Sequence, residues 1–235
     1  MKKMTLVQHF SELRRRILWT ALIFVVAFCV GIFISPWIQN LLTSPLLSVW
    51  PGGAVLYSGL ADGMMIDLSL GLTFGLMIIL PVAMWHIWAF VAPGLKNNER
   101  RFILPFLIMS PILFILGAAF AFYVLFPVVF KFFVELNLAS PVPAIVMPAA
   151  REYLSFAIGL LKVFGMAFQL PLVMVLLNRV GVLGRGRVIK MRRYAIVVIA
   201  VVAAILTPPD IVSQILLAIP LWLLFEISIL FMRRD

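Results

Sequence analysis

Long apolar runs, each bordered by basic residues, decide what this chain can become. The first extends from Ile17 to Ile34 without a charged side chain. A helix that crosses a bilayer needs about 20 such residues. Five more runs follow, at about Leu68–Val91, Phe102–Val129, Tyr153–Val182, Tyr194–Leu206 and Ile211–Met232. Hydrocarbon offers no hydrogen bonds, so a spanning segment must satisfy its backbone internally, as a helix does. Composition agrees. The 235 residues are 64% hydrophobic and 12% charged, whereas soluble domains are roughly half apolar. The expected fold is all-α and integral to the membrane: one six-helix domain over residues 1–235, with spans at about 17–34, 68–91, 102–129, 153–182, 194–206 and 211–232.

Lys and Arg set the orientation. One side of the membrane would hold Lys2, Lys3 and Arg14–Arg16, then Lys96, Arg100 and Arg101. It would also hold Arg179, Arg185, Arg187, Lys190, Arg192 and Arg193, and finally Arg233 and Arg234. The opposite side holds only Lys131 and Arg151. This bias predicts six spans with both termini in the cytoplasm. The net charge of +10 therefore marks loops beside spans, and no basic domain for nucleic acid is present. The run after Arg16 is longer than a signal-peptide core, and no small-residue cleavage site follows it, so it reads as a retained first helix. The single cysteine, Cys29, lies inside that run and reads as packing.

Pro81, Pro105, Pro111, Pro127 and Pro171 fall inside the expected spans and predict kinks. The two larger outer loops, about 35–67 and 130–152, are rich in Pro and small residues. They are expected to fold back as a cap. The fifth span is short. Its thirteen residues give roughly 20 Å of helix against roughly 30 Å of hydrocarbon, so it extends at its basic end, lies buried, or thins the bilayer beside it.

Enzyme signatures are missing from the sequence. His9 and His86 belong to no H-E-x-x-H, and no G-x-S-x-G or P-loop occurs. No acidic cluster has metal-ligand spacing, so no metal or other cofactor is expected. What remains is a set of polar residues in special places. Glu12 and Glu99 lie on the cytoplasmic face beside arginines, in "ELRRR" and "NNERR". Each either offsets local positive charge at a surface or offers a carboxylate to a guanidinium through paired hydrogen bonds. Lys162, Gln169 and Glu226 lie within spans, where ionisable groups face a cavity or a partner. Lys162 can snorkel toward the outer end. Glu226 either meets the cytoplasmic interface or pairs with an inner-loop arginine. Gln169 either bonds a kinked backbone near Pro171 or lines a polar patch. "TPPDIVSQ" places Thr207, Asp210 and Gln214 at the join of the last two helices, with Asp210 as a helix cap. Thr207 and Gln214 could dock a partner helix.

These residues carry a resemblance. "HFSELRRRI" before a span resembles the opening motif of the TatC family, the core subunit of the twin-arginine protein translocase. "PVAMWHIWAFVAPGLKNNERR" resembles that family's second helix and first cytoplasmic loop. "LGAAFAFYVLFPVVFKFF" resembles its third helix and "YLSFAIGLLKVFGMAFQLPLVMVLL" its fourth. "RRYAIVVIAVVAAILTPPDIVSQILLAIPLWLLFEI" resembles its last two. The likeness runs in order from about His9 to the end of the chain.

The resemblance implies a concave, glove-like scaffold of six helices in a bacterial inner membrane. It implies binding of twin-arginine signal peptides on folded cargo, and export driven by the proton-motive force. It also implies assembly with single-span TatA- and TatB-type subunits, in contact with lipid, as a homo-oligomer within a larger complex. Its two recognition glutamates fall on Glu12 and Glu99, with basic and aromatic neighbours at Arg14, Phe90 and Arg101. The outer-loop proline falls on Pro45, the aspartate after the paired prolines on Asp210, and the partner-docking polar site on Thr207 and Gln214. The family's usual fourth-helix glutamate is Gln169 here, which keeps hydrogen bonding but loses the charge. The expected function is thus a translocase receptor, not an enzyme. The alternative is a small proton-coupled secondary transporter with Gln169, Lys162 and Glu226 as its midplane site, although no internal repeat is visible.

Overall fold

The computed structural model describes residues 6–50, 54–91, 97–138, 148–207 and 210–233, and these are almost wholly helical. The helices are α1 (Leu6–Phe33), α2 (Ser35–Val49), α3 (Asp62–Val91), α4 (Asn97–Phe120), α5 (Phe126–Leu138), α6 (Ala150–Ala167), α7 (Gln169–Arg179), α8 (Arg185–Lys190), α9 (Arg192–Leu206) and α10 (Ile211–Phe231). Among the described residues, five helical stretches are long and apolar enough to cross a membrane: Ser11–Phe33, Asp62–Ala83, Ile108–Asn137, Ala150–Arg179 and Ile211–Phe231. The stretch read as the short fifth span is the 15-residue α9, roughly 22 Å long. Large side chains such as Ile17, Leu18, Trp19, Leu22, Val25 and Val26 lie exposed along α1, as a lipid-facing helix requires.

The chain forms two compact units, Met1–Ile38 with Met64–Pro111, and Gln39–Gly63 with Ile112–Asp235. In the first, α1 crosses α3 at glycines. A Cβ on Gly31 would stand 2.9 Å from the Gly71 Cα, and one on Gly71 would stand 2.6 Å from Ile32 Cγ1. Small residues let the two backbones meet, the usual means of helix association in lipid. Ser35 also donates a 2.5 Å hydrogen bond to Asp67 on α3.

In the second unit the same device joins α4 to α6. A Cβ on Gly117 would meet the Phe164 carbonyl oxygen at 2.4 Å, and one on Gly165 would meet the Phe114 ring at 2.8 Å. Phe114, Phe126, Phe164, Leu160 and Leu217 fill the core there. Met174, Val188, Phe225, Ile229 and Met232 form a further cluster where α7, α8 and α10 converge. Asn178 ties this end together. Its amide donates to the Leu183 carbonyl at 2.9 Å, and its oxygen accepts from the Arg233 backbone N–H at 2.7 Å.

The prolines act through the backbone. Between α4 and α5 the helix widens into a π turn, Ala121–Leu125, where the Phe126 N–H bonds to the Ala121 carbonyl. Pro127 follows directly, and the wider turn relieves the clash its ring makes with a preceding carbonyl. Pro171 sits in the first turn of α7, where its missing N–H costs nothing, and α6 breaks from α7 at Phe168.

Both outer-loop expectations are corrected: residues 130–138, read as loop, continue the helix α5 to Leu138. The segment after Ile34 is not loop, because Ser35–Val49 is helical with Pro45 inside it. The Leu41 carbonyl, four residues before Pro45, accepts instead from the Ser44 hydroxyl at 2.7 Å. That bond lets a helix continue through a residue with no N–H to give. The two larger loops do meet. Leu56 pairs with the strand-like edge at Pro148 and Ala150 through bonds of 3.0 and 2.8 Å, and the Tyr153 hydroxyl donates to the Leu42 carbonyl at 2.5 Å.

Candidate functional site

Glu12 and Arg16 lie one turn apart on α1, the spacing at which a glutamate meets a following basic residue. Arg16 Nε and Nη2 donate to the same oxygen, Glu12 Oε1, at 3.1 and 2.5 Å. Both side chains are 25% exposed. Glu12 Oε2 is buried and accepts no hydrogen bond among the described residues. One carboxylate oxygen thus takes both Arg16 bonds, and the other is buried with its hydrogen-bonding capacity unmet among the described residues.

Arg16 also begins an apolar groove between α1 and α3. This groove, about 490 Å3, is lined by Ile17, Ala21, Phe24, Leu76 and Ile79, with Thr20 and His86 as its other polar residues. The Thr20 hydroxyl donates to the Arg16 carbonyl at 2.8 Å and lies 2.7 Å from His86 Nδ1. Its one proton is committed to that carbonyl, so the Thr20 oxygen accepts from His86 Nδ1–H. This bond ties α1 to α3 about two helical turns along from Glu12. On another face of α1, Arg14 is exposed and lines a shallow depression with Ser11, Arg15, Leu18, Trp19 and Leu22. The side chains of Phe90, Glu99 and Arg101 lie outside the described residues.

The second unit holds the other expected site residues. Gln169 is buried, at 5% exposure, and starts α7 directly after the break at Phe168. Lys162 is half-buried in α6 and has no polar partner among the described residues. Glu226 accepts a 2.6 Å hydrogen bond from Arg192 Nη2, which ties α10 to the start of α9. Of the two placements open to Glu226 in the sequence, this is the pairing with an arginine. Pro45 lies inside α2.

At the join of α9 and α10, Asp210 caps α10. It accepts from the backbone N–H groups of Val212 and Ser213 at 2.9 and 3.0 Å and from the Ser213 hydroxyl. Burial pushes its carboxyl up, but the bonds from Ser213 and Val212 outweigh this and hold it below the ordinary carboxylate value. The capping contribution is therefore complete above that value and lost as pH falls through the lowered folded one. Asp210→Ala is expected to lower stability by about 0.5–2 kcal/mol, read as a lower melting temperature in detergent at neutral pH. Thr207 is buried and donates to the Ala203 carbonyl at 2.9 Å, and Gln214 Nε2 bonds the Ala200 carbonyl across the helix pair at 3.0 Å. Thr207 also lines a larger cavity, about 700 Å3, with Trp50, Phe130, Phe133, Glu152 and Phe156. Among the described residues no group of His, Cys, Asp and Glu is arranged to hold a metal ion.

The sequence reading missed Arg16 as a partner of Glu12, although their spacing carries that signal. It also missed Thr20, His86 and the Ser35–Asp67 bond, which join residues far apart in the chain.

Five helical stretches long and apolar enough to cross a membrane, among the described residues, mark a polytopic membrane protein. A family model described as "Sec-independent protein translocase protein (TatC)" matches residues 8–220. The chain is 39% identical to the Sec-independent protein translocase protein TatC of Magnetococcus marinus, covering 99% of this chain and 85% of that one. It is 36% identical to the Escherichia coli K12 protein of the same description, covering 97% and 88%. A crystal structure described as the twin arginine translocase receptor TatC superposes with a TM-score of 0.85 at 32% identity, covering 95% of this chain and 97% of that one. The chain belongs to the TatC family. It is a membrane-embedded component of a protein translocase and not an enzyme. The secondary-transporter alternative is not favoured.

Proposed function

We propose that this chain is the signal-peptide receptor of a twin-arginine translocase in a bacterial inner membrane, with both termini cytoplasmic and α9 as the short fifth of six crossings. Glu12 and Glu99 hold the two arginines of the signal, flanked by Arg14, Phe90 and Arg101. The apolar part of the signal lies in the groove between α1 and α3. One observation supports this reading: the Glu12 carboxylate already binds a guanidinium where that groove begins. Charged recognition beside an apolar trough suits a segment that places arginines before a hydrophobic stretch.

Thr207, Asp210 and Gln214 form the docking end for single-span TatA- and TatB-type subunits. Asp210 sets the helix ends, and Gln214 bonds across the α9–α10 pair. Gln169 and Lys162 serve as intramembrane polar groups that a neutral hydrogen-bonding partner or a snorkelling stem satisfies. Export is driven by the proton-motive force through an assembly of several copies with the partner subunits, since six helices are too few to surround a folded protein. Purification from native membranes tests the class. A twin-arginine precursor or a basic single-span protein is expected to co-purify, and uptake of a small solute into vesicles holding this chain alone would contradict it.

A further inference from the structure

We infer that Arg16 is a specificity-determining residue: a resident guanidinium that an incoming cation must displace from Glu12, so that arginine is accepted and lysine is refused. The inference rests on the receptor reading above and concerns the chemistry of that same site.

In the structure neither oxygen of Glu12 is open to a ligand. Oε1 holds Arg16 through two hydrogen bonds, at 3.1 and 2.5 Å, and Oε2 is buried without a partner among the described residues. A ligand cation therefore gains the carboxylate only if Glu12 turns away from Arg16. The helical spacing, with glutamate four residues before arginine, makes the internal pair the resting arrangement. The backbone under Arg16 is held by the Thr20 hydroxyl, at 2.8 Å from the Arg16 carbonyl. The exchange is thus confined to side chains, and Arg16 already borders the groove that can receive its stem.

The internal pair is incomplete. Both Arg16 nitrogens crowd one oxygen, so the fork that a guanidinium can make to two oxygens is not formed. An arginine arriving from outside the helix can supply that fork and satisfy the orphaned oxygen as well. It makes a better contact than the one it replaces. A lysine offers a compact point charge without fork geometry and is more strongly hydrated. It breaks the internal pair and returns less. Selectivity then arises from a competitor built into the receptor as much as from attraction to the ligand.

The test uses the full chain in lipid nanodiscs and two fluorescent signal peptides, identical except for Arg-Arg or Lys-Lys. Arg16→Met removes the competitor. The Lys-Lys peptide should then bind more tightly by on the order of tenfold, and the Arg-Arg peptide by a smaller factor, so the preference for arginine falls. Arg16→Lys, which keeps a cation at this turn, should give an intermediate preference and serves as the readout if Arg16→Met does not fold. An unchanged or increased preference in these variants, or equal weakening of both peptides, overturns the inference while leaving the receptor reading in place. Failure of the wild-type chain to bind either peptide overturns both.

Discussion

Gly117→Ala is expected to destabilise the protein by about 1–3 kcal/mol, the cost of overpacking a close contact, and Gly117→Val by more. The added Cβ would stand 2.4 Å from the Phe164 carbonyl oxygen and 2.9 Å from its carbon. Neither is the end of a flexible side chain, so α4 or α6 must move as a whole. The crossing is reciprocal, because Gly165 on α6 receives the Phe114 ring of α4, and a shift that relieves one contact disturbs the other. Thermal unfolding in detergent should show a clear drop in melting temperature. Gly63→Ala, at a helical position with nothing within 4 Å of the added Cβ, should be neutral or slightly stabilising. Equal melting of Gly117→Ala and wild type would show that the crossing tolerates a methyl group.

The second large effect is on binding. Glu12→Gln keeps the size of the side chain and removes its charge. Truncating one partner of a hydrogen-bonded charge pair costs about 2–5 kcal/mol, so affinity for a twin-arginine peptide should fall by roughly thirtyfold or more. Arg16 complicates the variant in a defined way, because its guanidinium loses its own partner and becomes a repelling charge at the site.

The sequence made some of this legible and concealed the rest for identifiable reasons. Charge-free runs reveal spanning helices because hydrocarbon permits little else, and the chain from Ile17 onward follows that rule. Pro171 announced the break before α7 because a ring without an N–H belongs in a first turn. Pro45 misled, since it sits in a helix whose freed carbonyl is taken by Ser44, a local bond that composition does not reveal. The π turn ahead of Pro127 is likewise a backbone adjustment with no residue signature of its own. At the candidate site, the sequence left Glu12 open to two readings, a charge offsetting its arginine neighbours or a carboxylate offered to a guanidinium. Its resident partner is four residues away and was readable, but Arg16 was counted only as one of three positive charges. The bond from Thr20 to His86 spans 66 positions, and only the packing of α1 on α3 brings those side chains together.

In the proposed receptor, Glu12 and Glu99 jointly hold the arginine pair of a signal peptide. A photoreactive residue placed beside the arginines of a twin-arginine signal peptide, crosslinked to this chain in membrane vesicles, tests it most directly. A strong crosslink to the wild-type chain is expected, and its loss when both Glu12 and Glu99 are replaced by alanine. Undiminished crosslinking to the double variant would contradict it.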